Sequence, residues 1–448
     1  GTANEASGSP QGGRMPLFGR RKRRTLVIGL DGVPFPLLRD LAADGTMPNV
    51  ANLIKLGHLS KMKVTLPEIS AVSWPSFMTG TNPGTHGIFG FLDPKPGSYD
   101  VRFPNFRDLK APTFWERMGE RKKTSIVINQ PSTYPAREIP GILVSGFVAL
   151  SLKKSVYPQR VLGDLERVQY EIDIDTRQAR EDHDYLVQAL AETLEGRLKA
   201  VDLFWTKEDW DYFQVVVTGT DRLHHYLWAA YDEADHERHE AFRDYYSKVD
   251  SFIGEMYGRF QEVSGRREEG EGFFMLSDHG FCGIEQEVRI ANWLRDNGFL
   301  SFEKDGPDSL EDIAEESKAF VIDPGRIYLN RKGRFPKGSV DEASARAIMD
   351  EIKAGLSELR HEGKPVIERV FERDEIYSGP ETPKAPDLVP VGHHGFDLKG
   401  TIKEADLFGR TNLTGMHTWD DAFFWSLKEA PADLSITQLA GIIMEATL

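Results

Sequence analysis

The chain has 448 residues, 40% hydrophobic and 28% charged, with 55 basic against 70 acidic side chains and a formal net charge of −15. That composition is globular and excludes disorder, collagen or coiled coil as whole-chain readings, and the acidic balance argues against general nucleic-acid binding. The single cysteine, Cys282, can form no internal disulfide, as expected of a reducing, cytoplasmic setting.

Length predicts about three domains, or one large α/β domain with insertions. Residues 1–24 are expected to form a flexible lead, small and polar at first and ending in the basic run Arg20–Arg24. No apolar run reaches the roughly 18–20 residues of a membrane span. The charges run straight into a core-strand pattern, not into the apolar stretch of a signal peptide. The run is read as a solvated lead-in, with a membrane-surface or polyanion contact as its alternative.

Thr25–Leu30 is a continuous apolar run that ends at Asp31. Ser125–Ile128 ends at Asn129, and Phe213–Val217 is followed by Thr218, Gly219, Thr220 and Asp221. Phe273–Leu276 leads into Ser277, Asp278 and His279. Short runs of this kind read as strands buried on both faces. Helical periodicity lies between them, over Pro36–Ala43, Val50–Leu56, Thr113–Glu120, Tyr185–Leu203 and His239–Arg259. The alternation predicts an α/β fold with a mostly parallel central sheet flanked by helices. Residues 25–284 are read as its catalytic core. Glu285–Leu300 then reads as one helix, Glu303–Ser317 as a loop or short helix, and Arg326–Leu329 as a strand. Gly333–Gly338 is a broken loop, Val340–Arg360 a helix and Pro380–Pro386 an extended stretch. Residues 285–405 are therefore expected to be an inserted subdomain that selects substrate, with 406–448 returning to the core.

Ligands of parallel sheets gather beyond the carboxyl ends of the strands, so acids placed there are a signal. Asp31, Asp221 and Asp278 all follow strand patterns, with His225 and His279 close by. Asp221 and His225 are four apart and share one face of a helical turn, while His224 points aside. Oxygen and imidazole donors in this mix suit zinc or manganese better than magnesium or calcium. The segment Pro67–Phe91 holds serines, a helical run and Gly80. A serine at a helix N-terminus faces backbone N–H groups and the positive end of the dipole. With a metal beside it, its hydroxyl becomes a nucleophile; without one it is an N-cap.

Six motifs carry a resemblance: VIGLDG (27–32), MPNVANLIKLG (47–57), SAVSWPSFMTGTNPGTHGIFGF (70–91), TGTDRLHHYLW (218–228), LSDHGF (276–281) and GMH (415–417). NQPSTYP (129–135) and IYLNRKGRFPKG (327–338) add to it. In these the chain resembles the alkaline phosphatase superfamily, specifically its type I phosphodiesterase/nucleotide pyrophosphatase branch and the phosphohydrolase/phosphomutase subgroup there. The resemblance implies an alkaline-phosphatase-like fold and hydrolysis of a small phosphate monoester or diester through a phosphoseryl intermediate. It implies two divalent metal ions, zinc or manganese. Asp221, His225 and His417 match the ligands of one ion, and Asp31, Asp278 and His279 those of the other. Ser70 matches the nucleophile, which also contacts the second ion. Ser73, in Ser73-Trp74-Pro75, is the rival, because a helix starting there would put proline in its first turn. His417 carries no signal apart from the resemblance.

Some features depart from the pattern. Nucleotide pyrophosphatases of the branch have asparagine where this chain has Phe91, which argues against nucleotide diesters. The stretch Ser73–Phe77 lacks the arginine of a sulfatase motif. Lys332 and Arg334, with Lys337 near them, are candidate substrate-binding residues, and His393 and His394 are candidates for the pocket wall. A phosphomutase and a non-catalytic binding protein on this fold are the alternatives to a hydrolase. Oligomeric state is left open.

Overall fold

The computed structural model describes residues 22–266 and 268–448. The expected lead therefore lies outside the described residues as far as residue 21, and with it Arg20 and Arg21. The next basic residues belong to the folded chain. Lys22 Nζ is 2.9 Å from Asp209, and the Arg24 guanidinium lies 4.7 Å over the Trp210 ring. Among the described residues no helix is long and apolar enough to cross a membrane.

Eight strands form the central sheet: β1 Thr25–Leu30, β2 His58–Met62, β3 Ser125–Gln130, β4 Gly141–Ser145, β5 Val156–Tyr157, β6 Tyr212–Val217, β7 Phe273–Leu276 and β8 Ala422–Ser426. Their spatial order is β2-β8-β7-β1-β6-β3-β4-β5. The middle of the sheet, β7 through β4, is parallel, and antiparallel strands close both edges. Every residue of β1, β3, β6 and β7 is buried, which is why these strands read as unbroken apolar runs. Alternate residues of β1 serve opposite faces. Leu26 and Ile28 pack in a core with the helices Phe35–Ala43, Pro48–Leu56, His183–Phe204 and His239–Val263. Val27 packs in another with the helices Ser70–Thr79, Phe114–Glu120 and Leu439–Thr447.

Parallel register sets the stage for the site. Leu30 pairs with Val217 and Gly29 with Leu276, so the chain leaves β1, β6 and β7 at one common edge.

A further apolar core is built from residues between Val288 and Leu398, joined by Tyr99. Its antiparallel sheet holds Ala319–Ile322, Arg326–Leu329, Leu388–Gly392 and Ile367–Glu372. The helix Glu342–Ser357 packs on it, with Asp341 as N-cap accepting from the Ser344 N–H. Arg326, fully buried, reaches back to Asp93 at 2.8 Å.

Two local expectations are corrected. Glu285–Leu300 is not one helix: Gln286–Arg289 is a strand, and only Ile290–Asp296 is helical. The strand pairs with Phe396–Lys399 and Phe408–Gly409, partners too distant for local periodicity to register. The stretch Pro380–Pro386 is not wholly extended, since Thr382–Lys384 forms a 3-10 turn.

Candidate active site

Asp31 leaves the carboxyl end of β1, and Asp278 and His279 leave β7. Asp221 is in the first turn of the helix Gly219–Asp232, which starts directly after β6, and His225 follows one turn on. His417 comes from the strand Gly415–Thr418, which pairs antiparallel with Gly280–Gly283 so that Phe281 faces His417. Ser70 opens the helix Ser70–Thr79.

These seven side chains converge. Ser70 Oγ is 3.1 Å from Asp31 Oδ1 and 3.2 Å from His279 Nε2. His279 Nε2 lies 3.4 Å from Asp31 Oδ1, 3.5 Å from Asp278 Oδ2 and 3.6 Å from Asp221 Oδ1. Asp221 Oδ1 in turn is 3.4 Å from His225 Nε2 and 3.2 Å from His417 Nε2, and the two imidazole nitrogens are 3.1 Å apart. Ser73 is elsewhere: it is fully buried one turn along the helix, and its Oγ has no partner.

Surrounding groups aim these donors. The Trp74 indole packs against Gly29 of β1, where a Cβ would come within 2.7 Å of the ring, and its Nε1 donates to Asp31 Oδ2 at 3.0 Å. The Gly32 N–H donates to Asp278 Oδ1 at 3.0 Å. His279 Nδ1 and His417 Nδ1 donate to the carbonyls of Gly280 and Glu68, both at 2.9 Å. Each neutral ring therefore presents an Nε2 lone pair to the cluster. His224 turns away to the Gly32 carbonyl and the Tyr246 hydroxyl.

The arrangement fits divalent cations. Asp221 Oδ1 and Asp278 Oδ2 are buried with no hydrogen-bond partner, yet both point into the cluster. Such orphaned acceptors ask for an ion. Asp31, Asp278 and His279 have donor atoms close enough to share one, as do Asp221, His279 and His417. The electrostatics agree. Burial disfavours charge on His279, but Asp278, Asp31 and Asp221 outweigh it and push its pKa up to about 10. Burial and the neighbouring Asp31 hold Asp278 well above the usual carboxyl range. Burial opposes ionisation of Asp221, yet His225 and His417 keep its carboxyl well below that range. Protonation is thus favoured at His279 and Asp278 and opposed at His417, whose burial and neighbouring His279 push its pKa down to about 3.

The other candidate residues are not brought here. Arg334 donates to the carbonyls of Lys384 and Ala385 at 2.6 and 3.2 Å, and Lys332 is 3.9 Å from Asp341 at the surface. Lys337 Nζ is 2.5 Å from Glu303. Their charges are spent on partners between residues 303 and 385, and none of the three lines the cavity that contains Ser70 and Asp221. His393 and His394 do not line it either; His394 is exposed and 3.0 Å from Asp420. Sequence reasoning missed Arg222, beside Asp221 in the same motif. Its guanidinium donates to Asp221 Oδ2 at 3.0 Å and Asp173 Oδ2 at 2.6 Å, and stacks 4.3 Å over Phe147. Adjacency to a candidate ligand was its only signal.

Residues 25–420 match the family model described as type I phosphodiesterase / nucleotide pyrophosphatase. The chain belongs to this family. It is thereby a hydrolase of phosphoric ester bonds in the alkaline phosphatase superfamily, and the family is metal-dependent. No curated protein matches by sequence. Solved structures share the fold. Phosphonoacetate hydrolase from Sinorhizobium meliloti 1021, in complex with phosphonoformate, is 15% identical over 96% of this chain and 97% of its own, with a TM-score of 0.64. Murine ectonucleotide pyrophosphatase / phosphodiesterase 5, an inactive form in complex with AMP, is 13% identical over 95% of both chains, with a TM-score of 0.54. The human counterpart is 14% identical over 94% of both, with a TM-score of 0.53.

Proposed function

We propose that this phosphohydrolase cleaves a small phosphate monoester or diester at two divalent metal ions, zinc or manganese, with Ser70 as nucleophile and a phosphoseryl intermediate. The observation that carries the reading is the position of Ser70 Oγ, within 3.2 Å of Asp31 and His279 and beside the second donor group around Asp221. Asp31, Asp278 and His279 would hold one ion, with Ser70 touching it, and Asp221, His225 and His417 the other. Bound there, such ions supply Lewis acidity, which lowers the pKa of a hydroxyl and stabilises charge on phosphoryl oxygens.

The chain's own groups supply the rest. Ser70 is the first residue of its helix, where unpaired N–H groups and the helix dipole favour negative charge on Oγ. Trp74 and the Gly32 N–H keep the carboxylates of Asp31 and Asp278 turned toward Ser70. Arg222 offsets part of the negative charge of Asp221 and holds its outer oxygen, leaving the inner one free. A cytoplasmic setting belongs to the same reading, supported by the single cysteine.

Parallel assays with 4-nitrophenyl phosphate, bis(4-nitrophenyl) phosphate and phosphonoacetate, with and without EDTA, test the proposal. Metal-dependent turnover of an ester that disappears in Ser70→Ala is the expected result. Full turnover in Ser70→Ala with loss in Ser73→Ala transfers the role to Ser73. Substoichiometric metal and no EDTA-sensitive turnover of any of the three would leave a non-catalytic binding protein.

A further inference from the structure

Beside the cluster lies a cavity of about 430 Å³ with mostly apolar walls, within the size range of small-molecule sites. Its rim accounts for nearly all the large apolar side chains exposed among the described residues. Phe103 is 63% exposed, Leu150 83%, Val148 40% and Phe91 36%, and Leu448 is the one other. Exposed apolar residues scattered singly need no explanation, but a cluster at the mouth of a cavity does. Phe91 lies edge-on to Phe103, with ring centres 5.1 Å apart, and parallel to Phe147 at 6.2 Å.

The cavity adjoins the candidate active site. Ala71 follows Ser70, and Ala71, Phe91 and Phe147 line both this cavity and the one holding Ser70, Asp221, His225 and His417. Arg222 stands at the junction, stacked on Phe147 and tied to Asp221. A phosphorus held at Ser70 would thus have one ester arm directed into an apolar chamber.

The walls also say what kind of arm. Polar side chains there are confined to Asn105, Ser132 and Tyr134, and Asn105 Oδ1 already accepts from the Arg107 N–H at 2.8 Å. A nucleobase would bring a rim of donors and acceptors with few partners, each costly to bury unpaired. A hydrocarbon brings none, and gains from every methylene removed from water.

We propose that this cavity is the subsite for a saturated alkyl or acyl arm, so that the preferred substrates are phosphate esters bearing an aliphatic chain. The assignment rests on the proposed position of phosphorus at Ser70. Full burial of one methylene is worth roughly a fourfold gain in binding.

The test is a series of 4-nitrophenyl alkyl phosphates (methyl, butyl, hexyl) and 4-nitrophenyl thymidine 5′-phosphate, assayed with the whole metal-loaded enzyme. Alongside it, titration calorimetry measures methylphosphonate and hexylphosphonate binding, which needs no turnover. The expected result is a kcat/KM that climbs at least tenfold from methyl to hexyl, with hexylphosphonate bound at least tenfold more tightly than methylphosphonate. Phe103→Ser and Leu150→Ser should each shrink the hexyl-to-methyl ratio severalfold. Equal kcat/KM across the alkyl series with equal phosphonate affinities overturns the subsite and leaves the phosphohydrolase intact. A thymidine ester preferred over the hexyl ester overturns it too, in favour of a base pocket. Tight hexylphosphonate binding without turnover of any ester keeps the subsite and removes the catalytic reading.

Discussion

Ser70 and Ser73 differ by one helical turn, and that turn separates a hydroxyl facing two candidate ligands, Asp31 and His279, from one sealed in the core. Ser70→Ala is expected to lower turnover by roughly a thousandfold or more while metal content, read by elemental analysis, stays at the wild-type level. Ser73→Ala should leave turnover within a fewfold and stability within about 1 kcal/mol, because no bond to its Oγ is lost. His86 shows another consequence of burial. It is fully buried, its Nδ1 accepts from the Ile88 N–H and its Nε2 meets Ser76 Oγ at 3.0 Å. Burial pushes its pKa down from 6.5 to about 3. The folded state therefore refuses a proton that the unfolded chain accepts. His86 contributes stability fully above pH 6.5, and that contribution is lost as pH falls toward 3, by about 1.4 kcal/mol per unit. Urea melts at pH 7 and pH 5 should show a smaller acid penalty in His86→Gln than in wild type. Parallel losses in the two proteins would refute the assignment.

At the scale of elements, the helix Ser70–Thr79 carries an unusual burden. It starts without a side-chain cap, contains Pro75 and is buried from Val72 to Thr79. A proline there forfeits a backbone hydrogen bond, and the alternative start at Ser73 would have avoided that. Packing prevails: Trp74, Phe77 and Met78 are fully buried against the sheet and the C-terminal helix. The helix stops at Gly80, in the left-handed region at φ +67°, where a Cβ would come within 2.9 Å of the Ala440 Cβ. Gly80→Ala should cost about 1–2 kcal/mol, measured as a lower denaturant midpoint at unchanged m-value; an unchanged midpoint would show that the helix end yields. The strand Gln286–Arg289 teaches the converse. Its Glu287 and Arg289 are buried polar residues, so no apolar alternation marked it, and only pairing with remote strands made it a strand.

Across the whole molecule, the candidate ligands come from β1, the helix after β6, the end of β7 and a strand near the C-terminus. Ions held by all of them would join the start of the chain to its end. Bound only by the folded state, metal at 100 times its Kd adds about 2.7 kcal/mol per site. EDTA should therefore lower the melting temperature, zinc or manganese should restore it, and Asp278→Asn should blunt the restoration. Identical melting curves with EDTA and with metal would sink the two-ion reading. The charge of −15 acquires a local meaning on this scale. Three of the acids surround the cluster, where cations and not bare carboxylates would meet a phosphate.

Four of the eight strands of the central sheet, and the acids at its edge, are legible in the sequence alone. Strands buried on both faces must be apolar throughout, so β1, β6 and β7 announced themselves, and with them Asp31, Asp221, Asp278 and His279. The four-residue spacing that joins His225 to Asp221 is likewise local. What depends on contacts between distant segments emerges only in the folded chain. His417 faces the cluster because its strand pairs with Gly280–Gly283. Lys332 and Arg334 are engaged elsewhere because a charge in a sequence does not reveal its partner. The apolar cavity draws its walls from five separate stretches, around Ala71, Phe91, Phe103, Tyr134 and Phe147. No periodicity marks such a surface, because it exists only once those stretches meet.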